Sequence, residues 1–361
     1  MNKFEFKKYP DIENSYREKF MDVFAREVPD NRDRAFYITE KIHGANSQIA
    51  FYRNDEKKGW DVKYGKRTSF IDEDAKFYNL PVVLRRLMPN FRKFIDKMCT
   101  TWSGEDVSWQ YKAVIFYGEI FGGAYPHKEV DKDSPLLPHN GVNGNTVQHG
   151  VWYCPENDWA CFDVRVQRFD GTWEFVDQLF FFMHCEDAGV PTVPLLAITS
   201  NLKEALAYPN DGESVVYKRY GLPKIEGNIM EGVVIKPVKD MTLSTGERAV
   251  IKNKNDHFKE IRHHNIARTI EPDSPEALLI EQAKDYITEA RLDNVISHFG
   301  EVERKDVGTI IGLLGKDACD EFMKDHNGDM NLLTDEQKKQ VKKVFGGKAA
   351  ELVREKLVPK L

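Results

Sequence analysis

Thr39-Glu-Lys-Ile-His-Gly-Ala-Asn46 is the stretch on which the reading of this chain turns. It follows a short apolar segment and runs into Ser47-Gln-Ile-Ala-Phe-Tyr52, so it falls between two candidate strands. A lysine placed there can attack phosphorus only as a neutral amine, and its ordinary pKa of roughly 10.4 leaves it almost wholly protonated near neutrality. A site that uses it needs nearby cations and partial desolvation, and the same cations neutralise phosphate charge in the transition state. Candidate cations lie far along the chain in Ile251-Lys-Asn-Lys254, where strand alternation puts Lys252 and Lys254 on one face. Taken singly, the two segments have plainer readings: a surface Lys-His loop, and the solvated face of an edge strand.

Outward from that stretch, residues 36 to 268 read as short segments rich in Val, Ile, Phe and Tyr between Gly, Asp and Asn turns. Examples are Ser47–Arg53, Ala113–Ile120, Ala160–Gln167 and Gly232–Lys236, with a helical stretch over Asp74–Lys97. This is the pattern of an α+β domain built on antiparallel sheet. Character changes at Thr269-Ile-Glu-Pro-Asp-Ser-Pro275, where two prolines among polar residues mark a linker. Beyond it the spacing turns helical, with Ser274 as N-cap, Pro275 in the first helical position, and a later stop at Gly300. A last helix opens at the capping box Thr334-Asp-Glu-Gln337. The expected organisation is an α+β domain over residues 1–268, a linker and helix start over 269–280, and a small all-α domain over 281–361.

Composition narrows the class. With 41% hydrophobic and 30% charged residues the chain matches an ordinary globular protein with a sizeable core. A net charge of −6 argues against a protein that coats nucleic acid nonspecifically, although a local basic surface suffices to grip a short duplex. The five cysteines (Cys99, Cys154, Cys161, Cys185, Cys319) form no C-x-x-C pair and point to neither zinc nor a disulfide framework. The start lacks an apolar signal core, and the densest apolar run, Leu179–Met183, is far shorter than the roughly 18 residues a spanning helix needs. A soluble protein of a reducing cytoplasm is expected.

Six segments, in order, carry a resemblance: Glu40-Lys-Ile-His-Gly-Ala-Asn46, Gly65-Lys-Arg-Thr68, Phe116-Tyr-Gly-Glu-Ile-Phe-Gly-Gly123, Cys161-Phe-Asp-Val164, Glu231-Gly-Val-Val-Ile-Lys236 and Ile251-Lys-Asn-Lys254. Together they resemble the RNA ligase 2 family of covalent nucleotidyltransferases, which takes in phage ligases and the kinetoplastid RNA-editing ligases. Further on, Glu289–Val302 with Lys305-Asp-Val-Gly308 and Ile311-Gly-Leu313 is similar to the C-terminal domain of phage members. The resemblance implies an ATP-dependent RNA ligase that joins a 3′-hydroxyl to a 5′-phosphate, with a nick in duplex RNA as the expected substrate. Lys41 would carry AMP, while Glu40 and the main chain of Lys41 and Ile42 would read the adenine edge. Asn46, Arg67 and Glu119 would contact ribose and the phosphate region, and Phe162 would stack on adenine with Asp163 supporting its loop. Glu231 would hold magnesium, or manganese in its place, through water. Lys236, Lys252 and Lys254 would grip the phosphates, and His43 would serve AMP transfer to the RNA end. DNA ligases and capping enzymes share the lysyl-nucleotide chemistry, but they typically carry Asp at the place of His43 and Arg at that of Asn46, and they continue into a β-barrel. A non-catalytic RNA-binding protein that kept the fold is the rival of another class.

Three other stretches were weighed. The polar segment Ala124–Gly150 departs from the phage pattern, looks more like the editing ligases, and reads as a long loop suited to RNA contact. Gly312-Leu-Leu-Gly-Lys316 lacks the spacing of a phosphate-binding loop and reads as a turn between helices. Asp325–Glu336 nearly fits a calcium loop, but Met330 stands where glycine is required. Basic residues gather at Arg248, Lys252, Lys254, Lys259, Arg262 and Arg268, and again at Lys338, Lys339, Lys342, Lys343 and Lys348, as expected phosphate contacts.

Overall fold

Runs such as Ala113-Val-Ile-Phe-Tyr117 are apolar at every position, so the long strands bury both faces, and the computed structural model shows where each face goes. It describes residues 4–28, 35–54, 59–103, 106–130, 145–261 and 275–361, with the side chains of 99–109 and 275 excepted. The strands are β1 (Glu13–Asn14), β2 (Phe36–Glu40), β3 (Ala45–Asn54), β4 (Gly59–Lys66), β5 (Phe70–Ile71), β6 (Thr100–Ser103), β7 (Asp106–Trp109), β8 (Tyr111–Gly122), β9 (Asn157–Arg168), β10 (Trp173–Phe175), β11 (Leu195–Thr199), β12 (Gly232–Pro237) and β13 (Ile251–Lys254). The helices are α1 (Glu18–Glu27), α2 (Leu80–Arg86), α3 (Met88–Cys99), α4 (Gln178–Ala188), α5 (Leu202–Leu206), α6 (Pro275–Lys284), α7 (Glu289–Phe299), α8 (Val307–Asp325), α9 (Asn327–Asn331) and α10 (Asp335–Lys356). The expected α+β class, strand-bearing first and helical afterwards, is what the molecule shows.

Two sheets organise the first part. One runs β10-β9-β8-β3-β4-β5 and the other β1-β13-β12-β2-β11. All their pairings are antiparallel except that of β1 with β13, which is parallel. On β3 and β8 the alternate residues Ile49, Phe51, Val114 and Phe116 enter a core shared with α2, α3 and α4. Ala50, Ile115 and Tyr117 face the opposite way, onto Tyr9, Phe162 and Phe175. A third core lies between the second sheet and α1 and α5, around Phe24, Ile38, Val233 and Ile235.

The chain divides into two compact units, residues 1–255 and 256–361. Much of the linker expected after residue 268, including Ser274 as N-cap, lies outside the described residues; Asp256–Ile261 already belong to the second unit. There the Glu260 carbonyl accepts from the Thr288 hydroxyl at 3.2 Å, and the buried Arg291 lies near the Glu260 carboxylate. Within that unit α7 ends at Gly300, whose φ of 105° suits glycine, and Thr334 and Gln337 form the expected capping box of α10. Gly312–Lys316 is not a turn, however: it lies inside the 19-residue α8. Glycine lowers helix propensity only by about 1 kcal/mol, and the buried Leu314 and Gly315 on the face toward α10 keep the helix continuous. The near-calcium segment is occupied by α9, with Asp325 bonded to Tyr286 and Asp329 beside His326. No helix among the described residues is long and apolar enough to cross a membrane.

Candidate active site

Three strand ends of the second sheet converge on one point. Register pairs Glu40 with Val233 and Gly232 with Lys254, so Lys41, Glu231 and Lys254 meet where β2 ends, β12 begins and β13 ends. Main-chain bonds fix the junction: the Lys41 amide donates to the Gly232 carbonyl at 2.9 Å and the Asn255 amide to the Glu231 carbonyl at 3.0 Å. The first sheet supplies Asn46 and Glu119, which are paired across β3 and β8. Gly44 lets the two sheets approach here, because a Cβ at that position would lie 2.2 Å from the Ile120 carbonyl oxygen and 2.8 Å from Glu119 Cγ. That contact explains the glycine after Lys41-Ile-His43.

Lys41 Nζ lies 2.7 Å from Glu231 Oε2, His43 Nδ1 3.4 Å from the same oxygen, and Lys254 Nζ 3.0 Å from Oε1. Glu231 is 4% exposed. Burial alone would push its carboxyl up, but Lys41, Lys254 and His43 together hold it well below the usual carboxylate range. The sequence reading set Lys252 and Lys254 beside the Lys41 amine; the structure interposes Glu231, so Lys41 pairs with an anion that it shares with Lys254. Lys252, on the same strand face, is half-buried. Glu119 is pushed up to about 8 by burial, with Lys41 pulling it down and Glu231 adding to the rise. One carboxylate of the pair is therefore charged and its neighbour protonated at neutral pH.

The adenine side is equally specific. Glu40 Oε2 accepts from the Val215 amide at 2.9 Å, while Oε1 is buried with no hydrogen-bond partner among the described residues. Burial pushes this carboxyl up to about 7. Phe162 is the extra residue of a β-bulge, since Tyr117 pairs with Asp163 and Gly118 with Cys161. An unbroken Phe-x-Val strand would turn Phe162 and Val164 to one face; the bulge instead sends Val164 into the helix-covered core and Phe162 to the other side.

Two expected nucleotide contacts are otherwise engaged. Lys236 is buried and donates to the Phe162 carbonyl at 2.6 Å and to Asp163 Oδ2 at 3.0 Å. Arg67 is paired with Asp11 at 2.7 Å, although its charge still reaches Glu119. Ile42 is buried beneath the Lys41 loop. Arg248, expected on phosphate, is instead 5% exposed and salt-bridged to Asp163 and Asp240, with its guanidinium 3.4 Å over the Phe175 ring, so it belongs to the interior. Arg262 and Arg268 lie outside the described residues, and Lys259 pairs with Asp256. Tyr153 escaped the sequence reading: its buried hydroxyl accepts from the His43 amide at 2.7 Å, and only the strap of residues 145–154 returning from the long polar loop brings it there. Residues 131–144 of that loop lie outside the described residues.

A family model described as RNA ligase matches residues 34–254, and one described as T4 RNA ligase 2 C-terminal matches residues 273–351. Among curated proteins the chain is similar to the mitochondrial RNA-editing ligase 2 of Trypanosoma brucei brucei, at 21% identity over 368 residues, covering 89% of this chain and 83% of that protein. Among solved structures it is similar to a Naegleria gruberi RNA ligase mutant with ATP and Mn, at 14% identity and TM-score 0.41, covering 71% of this chain and 58% of that one. It is also similar to an archaeal ATP-dependent RNA ligase, at 12% identity and TM-score 0.38, covering 97% and 65%. The chain thus spans less than two thirds of the length of these solved ligases. Since the first family model takes in more than half of the residues and the second the helical remainder, this protein belongs to the RNA ligase family, and within it to the RNA ligase 2 type.

Proposed function

We propose that this chain is an ATP-dependent RNA ligase that seals a 3′-hydroxyl to a 5′-phosphate, and that a nick in duplex RNA is its substrate. The observation that carries this is the shared carboxylate, with Lys41 and Lys254 on the two oxygens of a buried Glu231 and His43 beside it. Such a cluster fixes the Lys41 nitrogen and gathers Lys254 on the same carboxylate, so the cations that an attack on the α-phosphorus of ATP requires are at hand. The Lys41 nitrogen forms a bond to that phosphorus, the bond to the bridging oxygen breaks, and pyrophosphate leaves with the electron pair. Before attack the Lys41 ammonium must lose its proton to solvent, and Glu231, a weak base among these cations, holds the nitrogen in place. The AMP then passes to the RNA 5′-phosphate, and the 3′-hydroxyl displaces it.

The orphaned Glu40 Oε1 suits the amino group of adenine, which a guanine would replace with a carbonyl that repels an acceptor. The ionised Glu231 offers hard oxygen donors that fit Mg²⁺ or Mn²⁺, an ion that keeps much of its water and uses substrate phosphates as ligands. When bound, the ion would neutralise phosphate charge.

Incubation of the full chain with α-labelled ATP and magnesium, followed by a denaturing gel, tests the reading. Labelled protein is expected with ATP, none with GTP, and none in Lys41→Ala. A wild-type chain that takes no label would favour a fold kept for RNA binding alone. Sealing rates on a nicked RNA duplex, an RNA–DNA hybrid and two single strands then test the substrate, and equal rates on all three would overturn the choice of the nick.

A further inference from the structure

The residues matched by the RNA ligase model begin at residue 34, yet the segment before them crosses the site. The Tyr117 hydroxyl fixes the Lys7 carbonyl at 2.9 Å, Asp11 pairs with Arg67, and Glu13 and Asn14 lie parallel to Ile251 and Lys252. Between these anchors Tyr9 is 5% exposed. Its hydroxyl donates to Asp163 Oδ2 at 2.9 Å and accepts from Arg248 Nη1 at 3.0 Å. Its ring stands edge-on to Phe162 with centroids 4.9 Å apart.

Asp163 Oδ2 thus receives three donors, Tyr9, Lys236 and Arg248, while its Oδ1 has no hydrogen-bond partner among the described residues. The ammonium of Lys236 is divided between this carboxylate and the Phe162 carbonyl. The pose of Lys236 therefore depends on where Asp163 is held, and the pose of Phe162 on what packs behind its ring.

We infer that Tyr9 is a positioning residue with two separable parts, its hydroxyl setting Lys236 through Asp163 and its ring setting Phe162. The inference rests on the proposed adenylyltransferase reading, in which Lys236 faces phosphate and Phe162 faces adenine. The two parts act on different quantities. Charge on the transferring phosphate grows in the transition state, so a misaimed Lys236 lowers the maximal rate. Stacking on adenine is made alike in ground and transition states, so a loosened Phe162 raises the ATP concentration needed for half-maximal rate.

The test is the self-labelling rate of the full chain as a function of ATP, in wild type, Tyr9→Phe and Tyr9→Leu, with thermal melts alongside. Tyr9→Phe keeps the ring and is expected to lose about tenfold in maximal rate, the order of one hydrogen bond to a charged group, at an unchanged half-saturating ATP. Tyr9→Leu is expected to show that loss together with a several-fold rise in half-saturating ATP. A Tyr9→Phe chain with wild-type rate and half-saturation overturns the inference, and so do losses in both variants that only track the folded fraction. If the wild type itself takes no label, the reading of the site falls and takes the role of Tyr9 with it.

Discussion

Two buried carboxylates in the same unit, each among cations, have opposite characters. Asp163 sits with Lys236, Arg248 and Tyr9 behind aromatic walls, and Arg248 is tied off by Asp240. Burial would raise its carboxyl, but Arg248 and then Lys236 outweigh that and hold it below its usual range. Its two cations are, like it, almost fully buried. Glu231 has the same low-pKa character, yet one of its partners, Lys41, is 20% exposed, and its neighbour Glu119 is protonated rather than paired. A sealed cluster holds structure together; one with an accessible amine and an uncharged carboxyl in reserve can exchange partners with an incoming polyanion.

Cutting each cluster at its carboxylate breaks or sharpens that contrast. Glu231→Gln is expected to lower the self-labelling rate by roughly 10² to 10³, the scale for one preorganised electrostatic partner, with the urea midpoint near wild type. Lys254→Ala should follow it closely, because Lys254 is ion-paired to Glu231, and Lys252→Ala reports on the rest of the strand face. Equal losses in both lysine variants would show that the strand face as a whole, not the Glu231 contact, sets the rate.

Asp163→Ala should act on stability first. It leaves Lys236 and Arg248 buried without their shared partner, a defect that costs about 3–5 kcal/mol, and the maximal labelling rate falls with it as Lys236 loses its aim. Urea unfolding measures the first effect directly. A variant that unfolds like wild type would erase the distinction between a structural and a reactive cluster.

Much of this was legible beforehand, for reasons that differ by element. The six motifs carried the family, and the strands around Ser47–Arg53 and Ala113–Ile120 declared themselves by their Val, Ile, Phe and Tyr content. What stayed hidden depends on register and long-range contact. The bulge at Phe162 leaves no mark in composition, the acceptor role of Tyr153 arises 110 residues from His43, and the burial of Arg248 comes from Asp163 and Phe175, both distant in sequence. Gly312–Lys316 was misread because paired glycines signal turns locally, whereas packing against α10 carries the helix through them.

The contrast between the two compact units gives the next expectation. All six motifs precede residue 255, so a fragment of residues 1–268 should still label itself with AMP. It should seal a nicked RNA duplex about a hundredfold more slowly, the order expected when reacting ends lose their register. Gel assays of both steps on fragment and full chain decide it. Equal sealing would give the helical unit another task, and a folded fragment that takes no label would place part of the adenylylation machinery beyond residue 268.

The smallest effect concerns Glu40, another buried carboxyl and one with no ion pair among the described residues. Burial pushes it up to about 7 against an ordinary value of 4.5, so the folded chain keeps a proton there that the unfolded chain releases. Stability falls with pH wherever the folded state binds more protons. The contribution is fully present below the unfolded value and is lost as pH rises through the folded one, which sets the window between about 4.5 and 7. From pH 5 to 7 the loss is roughly 2 kcal/mol, at 1.36 kcal/mol per pKa unit. Asp163 and Glu231 act in the opposite sense, but their lowered values place their losses at more acid pH. Glu40→Gln keeps an oxygen for the Val215 amide and removes the titration, so the decline in unfolding free energy between pH 5 and 7 should flatten by about that amount. An identical decline in both chains would mean that Glu40 is already ionised in the folded protein, with its orphaned oxygen a buried charge that can accept from the adenine amino group without first losing a proton.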